Sequence, residues 1–371
     1  MSGSIKVLLT GSTGYIGGSV LSTLLASKSP AIEHISLSAL VRGEGKARLL
    51  KEAGVNVELF EDLDQTERLE NIAGNYDIVI QCVLGTHAAS AVALIRGLGR
   101  RLNNTGRQTY YIHTSGASNV AVLPSSENYL ESHVLSDKDN IHAYEKYRES
   151  LHPYAQRATE IAVVETGLAT GVRTTVIMPP TIYGIGSGYF NRLSIQIPNV
   201  IRTALDRGRA FRVGDHIATW SHAHINDLVT FYEMVLARIV EGKEVPHGEK
   251  GILFTDGGEF AWTELYEGVA KALKKRGKID TEELQTLSLK EAAEIFTGGD
   301  EYSVEAGFAS NVKTRGDIGR EWGWEPRKTH SDFLNTFEVE ADAVIEEGKA
   351  LNYTSHLKDH YPSVQRHCRS H

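Results

Sequence analysis

Cysteine is nearly absent from this chain of 371 residues: only Cys82 and Cys368 occur, far apart in sequence. That excludes a disulfide framework and makes a reducing compartment the expected setting. A basic excess is missing too, the formal net charge being −8. This argues against an electrostatic grip on nucleic acid or on an anionic membrane surface. No uninterrupted apolar run reaches the roughly 20 residues that a membrane span needs. Residues 1–6 lead at once into Val7-Leu8-Leu9-Thr10, without the basic segment, apolar stretch and cleavage site of a secretory signal. A cytoplasmic protein with neither membrane nor nucleic-acid partners is the expectation. Proline is scarce, at 9 residues against 35 glycines, so the backbone freedom of glycine is the first thing to locate. No repeat or low-complexity tract is present.

What the chain does have is an alternation of short apolar runs with helix-period segments, the pattern of βαβ units in a parallel sheet. Strands are expected at Ile5–Leu9, Ile35–Val41, Val55–Phe60, Asp77–Cys82, Thr109–Thr114 and Thr174–Met178. Helices are expected around Gly14–Ala26, Gly45–Ala53, Thr66–Ala73, Thr86–Asn103 and Tyr154–Gly167. Several strands are apolar on both faces, as a sheet between two helix layers requires. The fold class that follows is α/β: a Rossmann-type doubly wound parallel sheet with a smaller C-terminal substrate domain. The Rossmann part would span residues 1–180 and be completed by 226–256. The substrate part would comprise 181–225 and 257–350, and 351–371 would form a tail. Residues 116–142 interrupt the rhythm and read as a polar, loop-like excursion over the edge of the site.

The glycine-rich turn Gly11-Ser12-Thr13-Gly14-Tyr15-Ile16-Gly17 follows the first strand and opens an amphipathic helix. Gly11 permits a tight turn, Gly14 a close approach of backbone to phosphate, and Gly17 close packing of helix on sheet. The first N–H groups of the helix then face an anion. Strand before and helix after are the context that makes such a triplet a dinucleotide site. At the end of the second strand stands Arg42, where an acid would take the ribose 2′-hydroxyl of NAD. An arginine there suits the 2′-phosphate of NADP, so NADP is the expected cofactor, with NAD the alternative. Glu44 nearby argues the other way, and Arg42 is equally readable as a solvated strand-end charge. Asp62 and Leu63 end the third strand at the adenine edge; Asp62 also reads as an N-cap for the following helix.

Four motifs in order, namely the glycine turn, Glu61-Asp62-Leu63, Pro180-Thr181-Ile182-Tyr183-Gly184 and His224-Ile225-Asn226-Asp227-Leu228, resemble those of the extended short-chain dehydrogenase/reductase superfamily, the NAD-dependent epimerase/dehydratase group. The resemblance covers roughly residues 5–275. It implies a Rossmann domain plus a small substrate domain, with a small-molecule site between them and room for a homodimer. It also implies that the turn Cys82-Val83-Leu84-Gly85 runs along the cofactor and that Pro179, Thr181 and Ile182 lie beside the nicotinamide. The chemistry of the family uses Ser or Thr after the fifth strand and a Tyr-x-x-x-Lys pair on the next helix. Thr114 and Ser115 stand at the first position. The pair is missing: starting at Tyr154 puts Ala158 where Lys belongs, and anchoring on Glu160 puts His152 and Gln156 there. Tyr154, His152, Tyr183 and Tyr144 are the candidate proton donors, Tyr154 being equally readable as an aromatic packing at a helix start. The chain thus resembles atypical, fungal and NmrA-like members, a setting of secondary metabolism.

The remaining signals are weaker. His224 and Asp227 read as anchors of a helix capped by Asn226, and Phe190–Pro198 sits where family members shape the substrate pocket. Cys82 is most simply a small buried hydrophobe. The histidines at 356, 360, 367 and 371 have no ligand spacing, so no metal is expected. The function these readings favour is an NADP-dependent oxidoreductase acting on a carbonyl or activated alkene of a mid-sized, rather apolar substrate. Ser115 would orient it and Tyr154 protonate it. A redox-neutral isomerase, epimerase or cyclase and a non-catalytic NADP-sensing regulator are the rivals.

Overall fold

A computed structural model of the chain describes residues 4–215 and 217–347. The expected tail at 351–371, with its histidines and Cys368, lies outside the described residues. Seven parallel strands form the main sheet: β1 (Lys6–Thr10), β2 (Ser36–Arg42), β3 (Asn56–Phe60), β4 (Ile78–Gln81), β5 (Tyr110–Thr114), β6 (Arg173–Met178) and β7 (Ile252–Phe254). Their order across the sheet is 3-2-1-4-5-6-7. The order in which strands are added reverses between β1 and β4, and at such a switch point the carboxyl ends of the strands open a crevice. Leu8 packs into one buried cluster while Val7 and Leu9 pack into another. The two clusters are the two helix layers, which is why β1 is apolar at every interior position. Each such side chain contributes about 1.5–3 kcal/mol by leaving water.

The helices that matter for the site are α1 (Tyr15–Ala26), α2 (Ala88–Thr105), α3 (Ile141–Leu151), α4 (Ala155–Thr170), α5 (Gln196–Arg207), α6 (Ile225–Val240), α7 (Trp262–Lys275) and α8 (His330–Glu346). Helix α3, which starts where the excursion ends, is not among the expected helices. Asn140 caps it, its side-chain oxygen accepting from the Ala143 N–H at 3.1 Å. The buried face of α3 carries Ile141, His142, Glu145 and Arg148, so polar residues hide the apolar periodicity that would have marked it. Helix α6 also starts differently from expectation: its cap is His224, whose Nδ1 accepts from the Asn226 N–H at 3.0 Å. Asp227 acts as an anchor, accepting from the Lys328 N–H at 2.9 Å.

The second region is built on a three-stranded sheet of Gly258–Ala261, Thr219–His224 and Thr181–Tyr183. The excursion is wired to it through buried carboxylates. Glu305 accepts from the Ser125 N–H at 2.6 Å, and Asp137 from the N–H groups of Asp317 and Ile318 at 2.9 and 3.0 Å. Burial pushes the Asp137 carboxyl up to about 6. Among the described residues no helix is long and apolar enough to cross a membrane.

Candidate active site

At the carboxyl end of β1 the glycine turn takes the shape its residues allow. Gly11 has φ +72°, in the left-handed region, and the Gly14 N–H donates to the Gly11 carbonyl at 2.8 Å. A Cβ on Gly17 would lie 2.3 Å from the Gly11 oxygen, and one on Gly11 would lie 2.4 Å from the Cys82 oxygen. The turn, α1 and the segment after β4 therefore meet backbone to backbone. Gly14 caps α1 without any side-chain hydrogen bond, and the first turn of α1 holds no acidic residue. The Ser12 and Thr10 hydroxyls beside it are buried and unpartnered. Unpaired buried donors at the positive end of a helix fit a diphosphate.

Around this cradle the expected cofactor residues fall as follows. Thr13 turns its carbonyl toward the Asn191 N–H, 3.4 Å away, while Ile16 packs on the apolar cluster under α1. Tyr15 is buried and donates from its hydroxyl to the Gly184 carbonyl at 2.7 Å. Arg42 stands exposed at the tip of β2. Asp62 is not an N-cap: the helix after β3 starts at Thr66 with Gln65 as cap, and Asp62 instead accepts from the Asp64 N–H at 2.8 Å. Leu63 packs on the core. After β4, Cys82, Val83 and Leu84 are half-buried, and Leu84 has φ +21°. Burial pushes the Cys82 thiol up to about 12, so it sits there as a neutral group. The Pro179 carbonyl accepts from the Ala117 N–H at 3.0 Å, and Thr181 and Ile182 pair with His222 and Ala223 of the second sheet.

The side chains expected to react are not all brought together. Strand alternation turns the Thr114 hydroxyl toward α6, where it lies 2.6 Å from the Tyr232 hydroxyl and 3.3 Å from the Cys82 sulfur. Ser115 is buried; its hydroxyl donates to Glu160 of α4 and accepts from the Asn119 side chain at 3.0 Å. Neither hydroxyl turns toward Tyr154. The one that does is that of Ser118, 3.3 Å from the Tyr154 hydroxyl. Gln156 completes the group, its Oε1 3.5 Å from the Tyr154 hydroxyl and 3.4 Å from the Ser118 hydroxyl. The Gln156 side chain also lies over the carboxyl edge of the sheet, within 2.7 Å and 3.6 Å of where a Cβ would stand on Gly116 and Gly85. Ala158 and His152 are both exposed, so neither register is kept whole: the structure brings together Tyr154 of one and Gln156 of the other.

Tyr154 is held by its ring. The Tyr302 ring lies 5.4 Å away and the Arg157 guanidinium 5.7 Å from the ring centre. Arg157 is fully buried and paired with Glu149 at 3.0 Å, and it also donates to the Asn119 carbonyl at 2.8 Å. The other candidate donors are placed elsewhere: the Tyr183 hydroxyl faces the Thr329 carbonyl at 3.5 Å, Tyr144 is raised by burial on α3, and His152 is exposed. Beneath the turn Ser115–Asn119 lie two fully buried carboxyls, Glu145 and Glu160. Burial raises both, Glu160 to about 7, and the neighbouring Glu160 carboxylate pushes Glu145 further. Glu145 is thus the neutral member, while Glu160 accepts from Ser115 and, at 2.8 Å, from Asn119. The polar face of α3 and the residues Ser118 and Arg157 escaped the sequence reading. Glu160, used there as an anchor, was the signal that leads to them.

Sheet order, glycine cradle and a tyrosine at the carboxyl edge define an extended short-chain dehydrogenase/reductase. The chain belongs to the NAD-dependent epimerase/dehydratase family, whose pattern matches residues 7–248, and it is an enzyme of that extended type. A curated relative, the oxidase UcsJ of Acremonium sp, is 30% identical over 303 residues, 78% of this chain and 85% of that protein. Solved structures share the fold at low identity. The dTDP-glucose 4,6-dehydratase DesIV of Streptomyces venezuelae, with NAD and TYD bound, superposes with a TM-score of 0.61 at 16% identity, over 90% of this chain and 96% of that one. UDP-glucuronic acid 4-epimerase of Bacillus cereus, in complex with NAD, gives 0.59 at 14% identity, over 93% and 100%.

Proposed function

We propose that the protein is an NADP-dependent oxidoreductase that moves a hydride between the nicotinamide and a carbonyl or activated alkene of a mid-sized, rather apolar substrate. The observation that carries this reading is the convergence of the Tyr154 hydroxyl with Ser118 and Gln156 over the carboxyl edge of β4 and β5. When bound, the dinucleotide supplies the hydride donor or acceptor. Gly11, Ser12, Gly14 and the first N–H groups of α1 would hold its diphosphate, and Arg42 its 2′-phosphate. Tyr154 delivers or takes the proton at the substrate oxygen. Ser118 positions that oxygen, and the Gln156 amide orients the tyrosine hydroxyl without adding charge. A neutral partner where the family carries an ammonium leaves the tyrosine better suited to giving a proton than to accepting one.

The relative named an oxidase supports redox chemistry over a redox-neutral isomerisation. A nucleotide-sugar substrate is disfavoured because the arginines of the second region already hold protein partners. Arg192 bonds the Gly186 carbonyl at 2.6 Å, Arg202 pairs with Glu347 at 3.0 Å and Arg209 with Glu283 at 3.3 Å. Arg207 and Arg212 donate to Gln285 and Thr286, each at 2.9 Å. Tyr189, Ile195 and Ile217 meanwhile expose large apolar surface on these segments.

The test is turnover of NADPH and NADH against a panel of apolar aldehydes, ketones and enones, with the parent protein and Arg42→Asp. Hydrogen bonds between charged groups contribute about 1.5–3 kcal/mol. The exchange should therefore raise the KM for NADPH roughly 10- to 100-fold and leave that for NADH almost unchanged. Equal effects on both would refute the 2′-phosphate assignment.

A further inference from the structure

One segment of the second region does not face the expected substrate pocket alone. Residues 184–192, leaving the strand Thr181–Tyr183, fold back across the outer side of the glycine turn. Both ends are pinned. The Gly184 N–H donates to the buried Glu340 at 2.8 Å and its carbonyl accepts from Tyr15 at 2.7 Å. The far end closes on itself, the Gly186 N–H donating to the Arg192 carbonyl at 2.8 Å. In between, the Ser187 N–H donates to the Ser19 hydroxyl at 3.2 Å and its carbonyl accepts from Ser22 at 2.9 Å. Gly188 touches α1 so closely that a Cβ on it would lie 2.9 Å from the Cα of Gly18. The Asn191 N–H reaches the Thr13 carbonyl, in the middle of the turn, at 3.4 Å.

This course carries the half-buried Phe190 beyond the turn toward the tip of β2. Its ring centre lies 5.9 Å from the Lys46 ammonium, and Lys46 is exposed on the helix that begins two residues after Arg42. A dinucleotide with its diphosphate at Gly14 must carry its adenosine toward the end of β2, the strand paired with β1. That path runs between Thr13 and Arg42, the interval that Phe190 and Lys46 flank. The buried, unpartnered Ser12 hydroxyl marks the start of the same path.

Resting on the dinucleotide reading above, we infer that Phe190 and Lys46 belong to the cofactor site: the ring forms the outer wall over the adenosine ribose and the ammonium stands at its 2′-phosphate. The segment 184–192 is then a strap. The dinucleotide leaves only when the strap parts from α1, so its exchange after each hydride transfer is slow and sets the pace of turnover.

The experiment is stopped-flow release of prebound NADPH, followed by its fluorescence as excess NADP displaces it. Phe190→Ala should raise the release rate by roughly tenfold or more. Lys46→Ala, at an exposed position that cannot unfold the protein, should raise it several-fold for NADPH but not for NADH. Phe190→Tyr should restore slow release. Saturable NADPH binding with release rates unchanged in both alanine variants would overturn the inference and leave the oxidoreductase reading standing. No saturable binding by the parent protein would overturn both.

Discussion

Tyr154→Phe should lower kcat by roughly 10²–10⁴-fold, the ordinary worth of a positioned general acid, while leaving the dissociation constant for NADPH unchanged. The split follows from where the parts of the side chain sit. The ring is 8% exposed and packs on Tyr302 and Arg157, contacts that phenylalanine keeps. The hydroxyl faces Ser118 and Gln156, and hydrogen bonds of this kind are worth about 0.5–1.5 kcal/mol each to stability. The fold therefore survives and the chemistry does not. Ser118→Ala should behave as the weaker version of the same lesion, because it removes the oxygen's positioning partner and not the acid. Steady-state kinetics beside a fluorescence titration with NADPH make the check. A loss in kcat smaller than tenfold would take the proton-transfer role from Tyr154.

Gly17→Ala should cost most of the dinucleotide affinity, on the order of 100-fold or about 2.7 kcal/mol. The added methyl would sit 2.3 Å from the Gly11 carbonyl oxygen and 2.6 Å from its carbon. Both are backbone atoms, and Gly11 is itself locked against Cys82, so neither partner has a side chain to swing away. Relief comes only by lifting α1 from the turn, which carries the first N–H groups of the helix away from the phosphates. Overpacking of this kind also takes about 1–3 kcal/mol from folding. Calorimetric titration and a melting curve on the same sample separate the two losses. Unaltered NADPH affinity would mean that the diphosphate does not bind at this turn.

The parts of the molecule that were legible in the sequence are those where one physical demand acts alone. β1 and β4 are buried on both faces, so Val7–Leu9 and Ile78–Ile80 read as continuous apolar runs. Gly11 and Gly17 meet backbone at less than 3 Å, so no other residue fits. α3 was illegible because its inner face carries Glu145 and Arg148, whose burial is sustained by partners distant in sequence, Glu160 for the first and Glu127 for the second. Ser115 looked like the orienting hydroxyl because it directly follows β5. Its hydrogen bond to Glu160 is a tertiary fact, and the hydroxyl that faces Tyr154 is that of Ser118, three residues on. Of the two registers left open for the missing pair, burial keeps half of each: Ala158 and His152 face water, while Tyr154 is buried and Gln156 lies against Gly85 and Gly116.

The proposed chemistry requires a dinucleotide seated at the amino end of α1. Isothermal titration of the purified parent protein with NADPH, and separately with NADH, measures this most directly. One saturable site per chain is expected, with NADPH bound more tightly than NADH. Well-folded protein that takes up neither nucleotide at millimolar concentration would contradict it.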